Sequence, residues 1–153
     1  MATIQGNGLS ILEFDSAQLA FPLHEVAGVQ RISLLEKNSE LPLALGTVVH
    51  DGRSWPVFGL NGSFALLPTL PAQRAYCICL SADGSETGLA LVCDTVNTVA
   101  LAPGQSPLPI PTSIQRADSP LRQWYWRAEK ILPISSTPAL AGYIKNAMEQ
   151  NNG

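Results

Sequence analysis

The chain is short of charge, of histidine and of long apolar runs, and each shortage removes a class of function. Only 14% of its 153 residues are charged, 9 basic and 12 acidic, for a formal net charge of −3. Lysine and arginine form no cluster, so the basic face that neutralises phosphates is missing and nucleic acid is not an expected partner. Proline, glycine or a charge breaks every apolar run before it reaches bilayer length, so no direct membrane insertion is expected. The start, Met1 to Gly8, has neither the basic segment nor the apolar core of a secretory signal. Three cysteines, Cys77, Cys79 and Cys93, are an odd number without disulfide-framework spacing. They suit a reducing compartment, and the expected location is the cytoplasm.

Chemistry-bearing residues are equally sparse. His24 and His50 are the only histidines. The sequence contains neither a Gly-x-Ser-x-Gly elbow nor a phosphate-cradling Gly-x-x-x-x-Gly-Lys loop. Both histidines read as solvated or partner-facing side chains. Asp94-Thr95-Val96 has the start of an aspartic-protease turn, but Val96 stands where that turn uses a glycine conformation. A carboxylate dyad would also need a second aspartate, supplied only by dimerisation. Asp94 is better read as closing a strand and bonding nearby amides. Cys77 and Cys79 fall on one side of a strand and, with Cys93 and a histidine, have the donor types of a zinc tetrahedron. They sit inside apolar strands rather than on loops, so they read as small core hydrophobes. No catalytic residue, metal or cofactor is expected, and the chain does not read as an enzyme.

What is present is apolar sequence, 46% of residues, punctuated by 12 glycines and 12 prolines. That content argues against disorder. Turn signals recur at about eight to twelve positions, the rhythm of an all-β sandwich or barrel. Strands are expected over 10–14 and 19–21, one helical turn at 23–26 after Pro22, and a strand over 29–35. Residues 46–60 form two apolar strands joined at Asp51-Gly52, which tolerates the positive φ of a tight hairpin. Pro56 in the second arm marks a sheet edge or a bulge. Residues 75–80 and 88–93 are continuously apolar, as in strands buried on both faces. Four prolines make 102–111 an extended strap. A last hairpin follows at 121–127 and 130–134. Thr137 can cap a helix from Pro138 to about Met148, with residues 149–153 fraying. Trp55, Trp124, Tyr125 and Trp126 are divided between core and interface roles.

The segment 46–60 resembles the signature hairpin of the CheW-like family of chemosensory coupling proteins. Gly46, Gly52, Pro56, Val57 and Leu60 match its glycines, proline and apolar positions in register. Residues 21–29, Phe-Pro-Leu-His-Glu-Val-Ala-Gly-Val, resemble the family's strand running into a Glu-Val turn. Residues 91–99, Leu-Val-Cys-Asp-Thr-Val-Asn-Thr-Val, resemble its Val-Val-Asp-x-Val-x-x-Val segment. The final hairpin and helix fall where members close. The resemblance implies an all-β fold of two small SH3-like, five-stranded β-barrel subdomains with a short C-terminal helix. It implies a single domain over 8–146 built of two intertwined subdomains, with flexible termini at 1–7 and 149–153.

The function it implies is that of a non-catalytic adaptor. Such a protein couples the regulatory domain of a sensor histidine kinase to the cytoplasmic tip of a chemoreceptor. Val26, Gly28, Val29, Gly46, Asp51 and Gly52 match the receptor-facing positions, and Arg53 lies beside them. The chain departs from the pattern at three places. Asp51 replaces the hairpin arginine, Val49 an asparagine and Gly59 an aspartate. The anion at Asp51 reverses the local potential, which bears on partner choice more than on affinity. An adaptor of a pilus or surface-behaviour pathway, or a sensory β-barrel holding a small ligand, are the alternatives.

Overall fold

The computed structural model describes residues 8–37, 41, 43–82, 88–101, 107–111, 119–127 and 129–152. Among these residues eleven strands form two sheets, accompanied by one α-helix. In chain order they are β1 (Gly8–Phe14), β2 (Ala17–Pro22), β3 (Val26–Arg31), β4 (Gly46–His50), β5 (Arg53–Phe58) and β6 (Tyr76–Leu80). Then come β7 (Leu89–Cys93), β8 (Thr95–Ala100), β9 (Leu108–Pro109), β10 (Gln123–Arg127), β11 (Lys130–Ile134) and α1 (Thr137–Asn152). One sheet has the order β8-β1-β2-β11-β10-β9 and the other β3-β6-β7-β5-β4. The expected pair of small β-units is therefore present. One has five strands; the other has six, the extra one being the two-residue β9.

Alternation along the strands sorts their side chains between separate cores. In β6 and β7, Cys77, Cys79, Ala90 and Val92 join Val48, Trp55 and Val57 inside the five-stranded unit. The alternate residues Ile78, Leu80, Leu89, Leu91 and Cys93 pack with Leu12, Phe14, Leu19 and Phe21 of the other sheet. Leu140 and Ile144 of α1 close this shared core. Leu9, Ile11, Ala20, Tyr125, Leu132 and Ile134 fill the six-stranded unit. The continuously apolar reading of 75–80 and 88–93 thus has its physical reason: each strand serves two cores at once.

Several local expectations change. The strand read over 29–35 is β3, which starts earlier and ends at Arg31, where a 3-10 turn at Ile32–Leu34 takes over. The helical turn after Pro22 is a 3-10 turn, Leu23–Glu25. Pro56 lies neither in an edge strand nor at a bulge, because β5 runs between β7 and β4. The parallel ladder to β7 occupies Val57 and Phe58, so the missing donor of Pro56 falls just outside it. Ser136, not Thr137, caps α1, its hydroxyl accepting the Ala139 amide at 3.2 Å. The Thr137 amide instead donates to the buried Glu25 carboxylate at 2.5 Å. The helix continues past Met148 to Asn152. Of the strap, 102–106 lie outside the described residues.

Arg74, on the connector before β6, is 2% exposed and holds the two sheets together. Its Nη1 donates to Asp15 at 3.2 Å and to Asp94 at 2.9 Å. Its Nη2 donates to Asp15 at 3.3 Å and to the Leu60 carbonyl at 2.7 Å. Asp15 lies in the β1–β2 turn of the six-stranded sheet, and Asp94 is the residue between β7 of the five-stranded sheet and β8 of the six-stranded one. The guanidinium also lies 5.3 Å from the Phe14 ring centre. Asp94 is thus paired with a cation rather than only with amides.

Arg74→Met removes the cation and leaves two carboxylates facing each other. Breaking a buried pair costs about 3–5 kcal/mol, and the lower end is expected because both acids keep partial contact with water. Urea denaturation with an unchanged slope and a lowered midpoint is the expected result. The hydrogen bond from Arg74 also holds the Asp15 carboxyl below its ordinary value of 3.8. A lowered folded value stabilises the fold above the unfolded value and ceases to do so as pH falls through the folded one. The stability gap between the native chain and Asp15→Asn therefore closes in acid.

Candidate partner-binding surface

The hairpin of β4 and β5 turns in two residues, with Asp51 at φ 55° and Gly52 at φ 75°. Both are left-handed, the requirement of the turn type whose twist matches a two-residue hairpin. Gly52 is needed for that φ alone, since no atom lies within 4 Å of where a Cβ would sit. The arms keep the register His50↔Arg53 and Val48↔Trp55. The guanidinium of Arg53 lies 4.4 Å from the Trp55 ring centre, which places a cation beside the anionic Asp51 on the hairpin tip. Trp55 is buried and donates its indole N–H to the His50 carbonyl at 3.0 Å.

Opposite the hairpin tip runs β3. The imidazole of His50 reaches it, with Nδ1 2.7 Å from Gln30 Nε2 and Nε2 3.1 Å from the Ala27 carbonyl. On β3, Gly28 and Gln30 pair with Cys79 and Cys77, which face the interior of the five-stranded unit. Val29 pairs with Ile78, on the face that carries the shared core between the sheets. Val29 is nevertheless 46% exposed, on the strand that ends the sheet order. Val49, before the hairpin tip, is 58% exposed. Two aliphatic side chains thus stand in water beside a mixed-charge tip.

The fold brings Gly28, Val29, Asp51, Gly52 and Arg53 to one end of the five-stranded unit. Val26 is half-buried, packs against the shared core and lies at a register break in β3. Gly46 is buried at the far end of β4, with the Glu36 carbonyl against it, so its place is inside the fold. Sequence reasoning did not mark the bridging contacts of His50. The only signal was a histidine next to the turn, and its partners are 20 and 23 residues away.

The aromatics divide as the alternation requires. Trp55 and Tyr125 are core residues. Trp126 is 58% exposed and pairs across the strands with Ile131, itself 59% exposed. Trp124 pairs with the half-exposed Leu108 of β9 on the same face. The six-stranded sheet therefore carries an apolar strip of its own. Under α1 lies a groove-like cavity of about 380 Å³, lined by apolar residues including Pro56, Phe58, Leu89, Ala141 and Met148.

The cysteines do not form a ligand set. Cys77 and Cys79 face the interior core and Cys93 the shared core, on the other side of the sheet. Burial pushes the Cys77 and Cys93 thiols up to about 12 and the Cys79 thiol to about 11, so all three stay protonated at neutral pH. Among the described residues no group of His, Cys, Asp and Glu is arranged to hold a metal ion. No helix among them is long and apolar enough to cross a membrane.

Two folded β-units sharing a core, with a closing helix, define the class as a CheW-like fold. No protein-family model matches the chain, and no curated protein sequence matches it. Among solved structures it is similar to the crystal structure of the scaffolding protein TtCheW from Thermoanaerobacter tengcongensis. The TM-score is 0.64 at 18% identity, covering 85% of this chain and 84% of that one. At that identity what is shared is the fold.

Val29→Asp tests whether the valine belongs to the surface. Half-exposed surface substitutions cost within about 0.5 kcal/mol, so the circular dichroism spectrum and thermal midpoint should stay near those of the native chain. Unfolding would assign Val29 to the core.

Proposed function

We propose that the chain is a non-catalytic adaptor. It couples a sensor histidine kinase, through the kinase's regulatory domain, to the cytoplasmic tip of a chemoreceptor in a chemosensory pathway. The observation that carries this reading is the presence of two separate exposed apolar surfaces on different sheets of a scaffold-type fold. An adaptor needs two faces that can be occupied together, and exposed aliphatic and aromatic clusters mark such faces. The receptor-facing surface is the one around Val29, Gly28 and the hairpin tip, with Asp51, Gly52 and Arg53. Here Val29 and Val49 supply burial, while Asp51 and Arg53 choose the partner by charge. The strip of Trp126, Ile131, Trp124 and Leu108 serves the second partner. An anionic Asp51 at the tip favours a receptor tip with a complementary cation, which suits a dedicated pathway such as one for pili or surface behaviour.

The cavity under α1 supports the second reading, a sensory β-barrel holding a small apolar ligand. A thermal shift produced by a small molecule without any protein partner would favour it. For the adaptor reading, isothermal titration of the chain with a chemoreceptor cytoplasmic-tip fragment is the direct experiment. Asp51→Arg should weaken that binding about tenfold or more, because a like charge at a rim both slows encounter and is penalised on contact. Unchanged affinity would remove the hairpin tip from the interface.

A further inference from the structure

We infer that His50 is a clasp that closes the five-stranded unit and is the positioning residue of the surface around Val29. The closure stands on geometry alone, and the positioning rests on the partner-binding reading above. The strand order leaves β3 and β4 at opposite ends of the sheet. Among the described residues their backbones form no ladder with each other, since β3 pairs with β6 and β4 with β5. The free edge of β4 is covered at Thr47, which exchanges backbone hydrogen bonds with Glu36. Toward the hairpin tip it is the His50 side chain that spans the gap to β3.

The partners fix the chemistry of the ring. A carbonyl only accepts, so Nε2 carries the proton and donates to Ala27 at 3.1 Å. Nδ1 is then the acceptor for the Gln30 amide at 2.7 Å. Both ring nitrogens are satisfied by β3, on either side of Gly28. A Cβ at residue 28 would overlap the ring at Cε1 and Nε2, so the imidazole fits only because residue 28 has no side chain. The ring also meets Trp55 edge-on, with centres 6.2 Å apart, and so lies over the interior core. Gly28 and His50 are thus complementary: one leaves the space and the other fills it with two hydrogen bonds. The outward neighbours of this join are Val29 and Val49. By fixing β3 against β4, the clasp sets where those two exposed valines stand.

Methyl-resolved NMR of the full chain tests this with four forms: native, Gly28→Ala, His50→Ala and the double variant. Each single substitution should shift the methyl signals of both Val29 and Val49. It should also weaken binding to a chemoreceptor cytoplasmic-tip fragment about tenfold, mainly through faster dissociation. Gly28→Ala should add little once the ring is gone, because the three atoms nearest the added Cβ all belong to that ring. A Val29 signal unmoved by His50→Ala, or a Gly28→Ala effect equally large with and without the imidazole, overturns the clasp. If His50→Ala lowers the urea midpoint of the whole chain, His50→Phe decides, since it keeps a ring over Trp55 without the nitrogens. A shifted Val29 with a normal midpoint then supports the clasp, and an unshifted one overturns it. A native chain that fails to bind the tip, with the coupled methyl shifts intact, overturns the positioning role and the partner reading while the closure stands.

Discussion

One buried cation, Arg74, is the interaction on which the arrangement of the two sheets depends. A guanidinium that is 2% exposed must find its charge and donors answered inside the protein. Its terminal nitrogens reach Asp15 in the β1–β2 turn and Asp94 at the crossover from β7 to β8, where the chain passes from one sheet to the other. The planar fork of arginine makes that possible, because it presents several donors in fixed directions. An apolar core alone would let two β-units slide against each other. A directional charged contact gives them a register. Glu25 adds a second point of attachment at the other end of the groove, its carboxylate accepting the first helical amide of α1. A carboxylate at a helix N-terminus also meets the positive end of the helix dipole.

With the sheets fixed, the exposed side chains at their margins take defined positions. Val29 belongs by its pairing to the face that builds the shared core, yet it emerges into water. The Asp51-Gly52 turn stands across from β3, held by a histidine whose hydrogen bonds replace a missing backbone ladder. On the other sheet, Trp126 and Ile131 form an exposed cross-strand pair whose neighbours Tyr125 and Leu132 are core. The architecture so described is an arrangement of surfaces rather than of reactive groups. The buried thiols are protonated packing atoms, and His50 has both ring nitrogens engaged.

The sequence made local features readable and long-range ones not. Asp51-Gly52 announced its hairpin because the conformation is a property of those two residues. The strands around Ile78 and Leu91 announced themselves by unbroken apolarity, the mark of burial on both faces. Arg74 gave no such sign, since its partner Asp15 lies 59 residues away and nothing near it in sequence marks it as buried. Glu25 and Thr137 are 112 residues apart, so the helix start was assigned to the wrong capping residue. Pro56 misled for a different reason. The rule that bars proline from sheet interiors concerns ladder donors, and where the ladder to β7 begins is decided by packing. The choice of Val29 as a partner-facing residue came from resemblance, and its exposure follows from its place on the strand that ends its sheet.

The central claim is that two partners bind this scaffold together on different surfaces. Sedimentation velocity tests this on the full chain mixed with a sensor-kinase regulatory domain and a chemoreceptor cytoplasmic-tip fragment. The account predicts a ternary species heavier than either binary pair. Loss of the receptor tip alone should follow from Val29→Asp, and loss of the kinase domain alone from Trp126→Asp. Binary complexes that exclude each other, or one substitution that removes both partners from a folded chain, would contradict it.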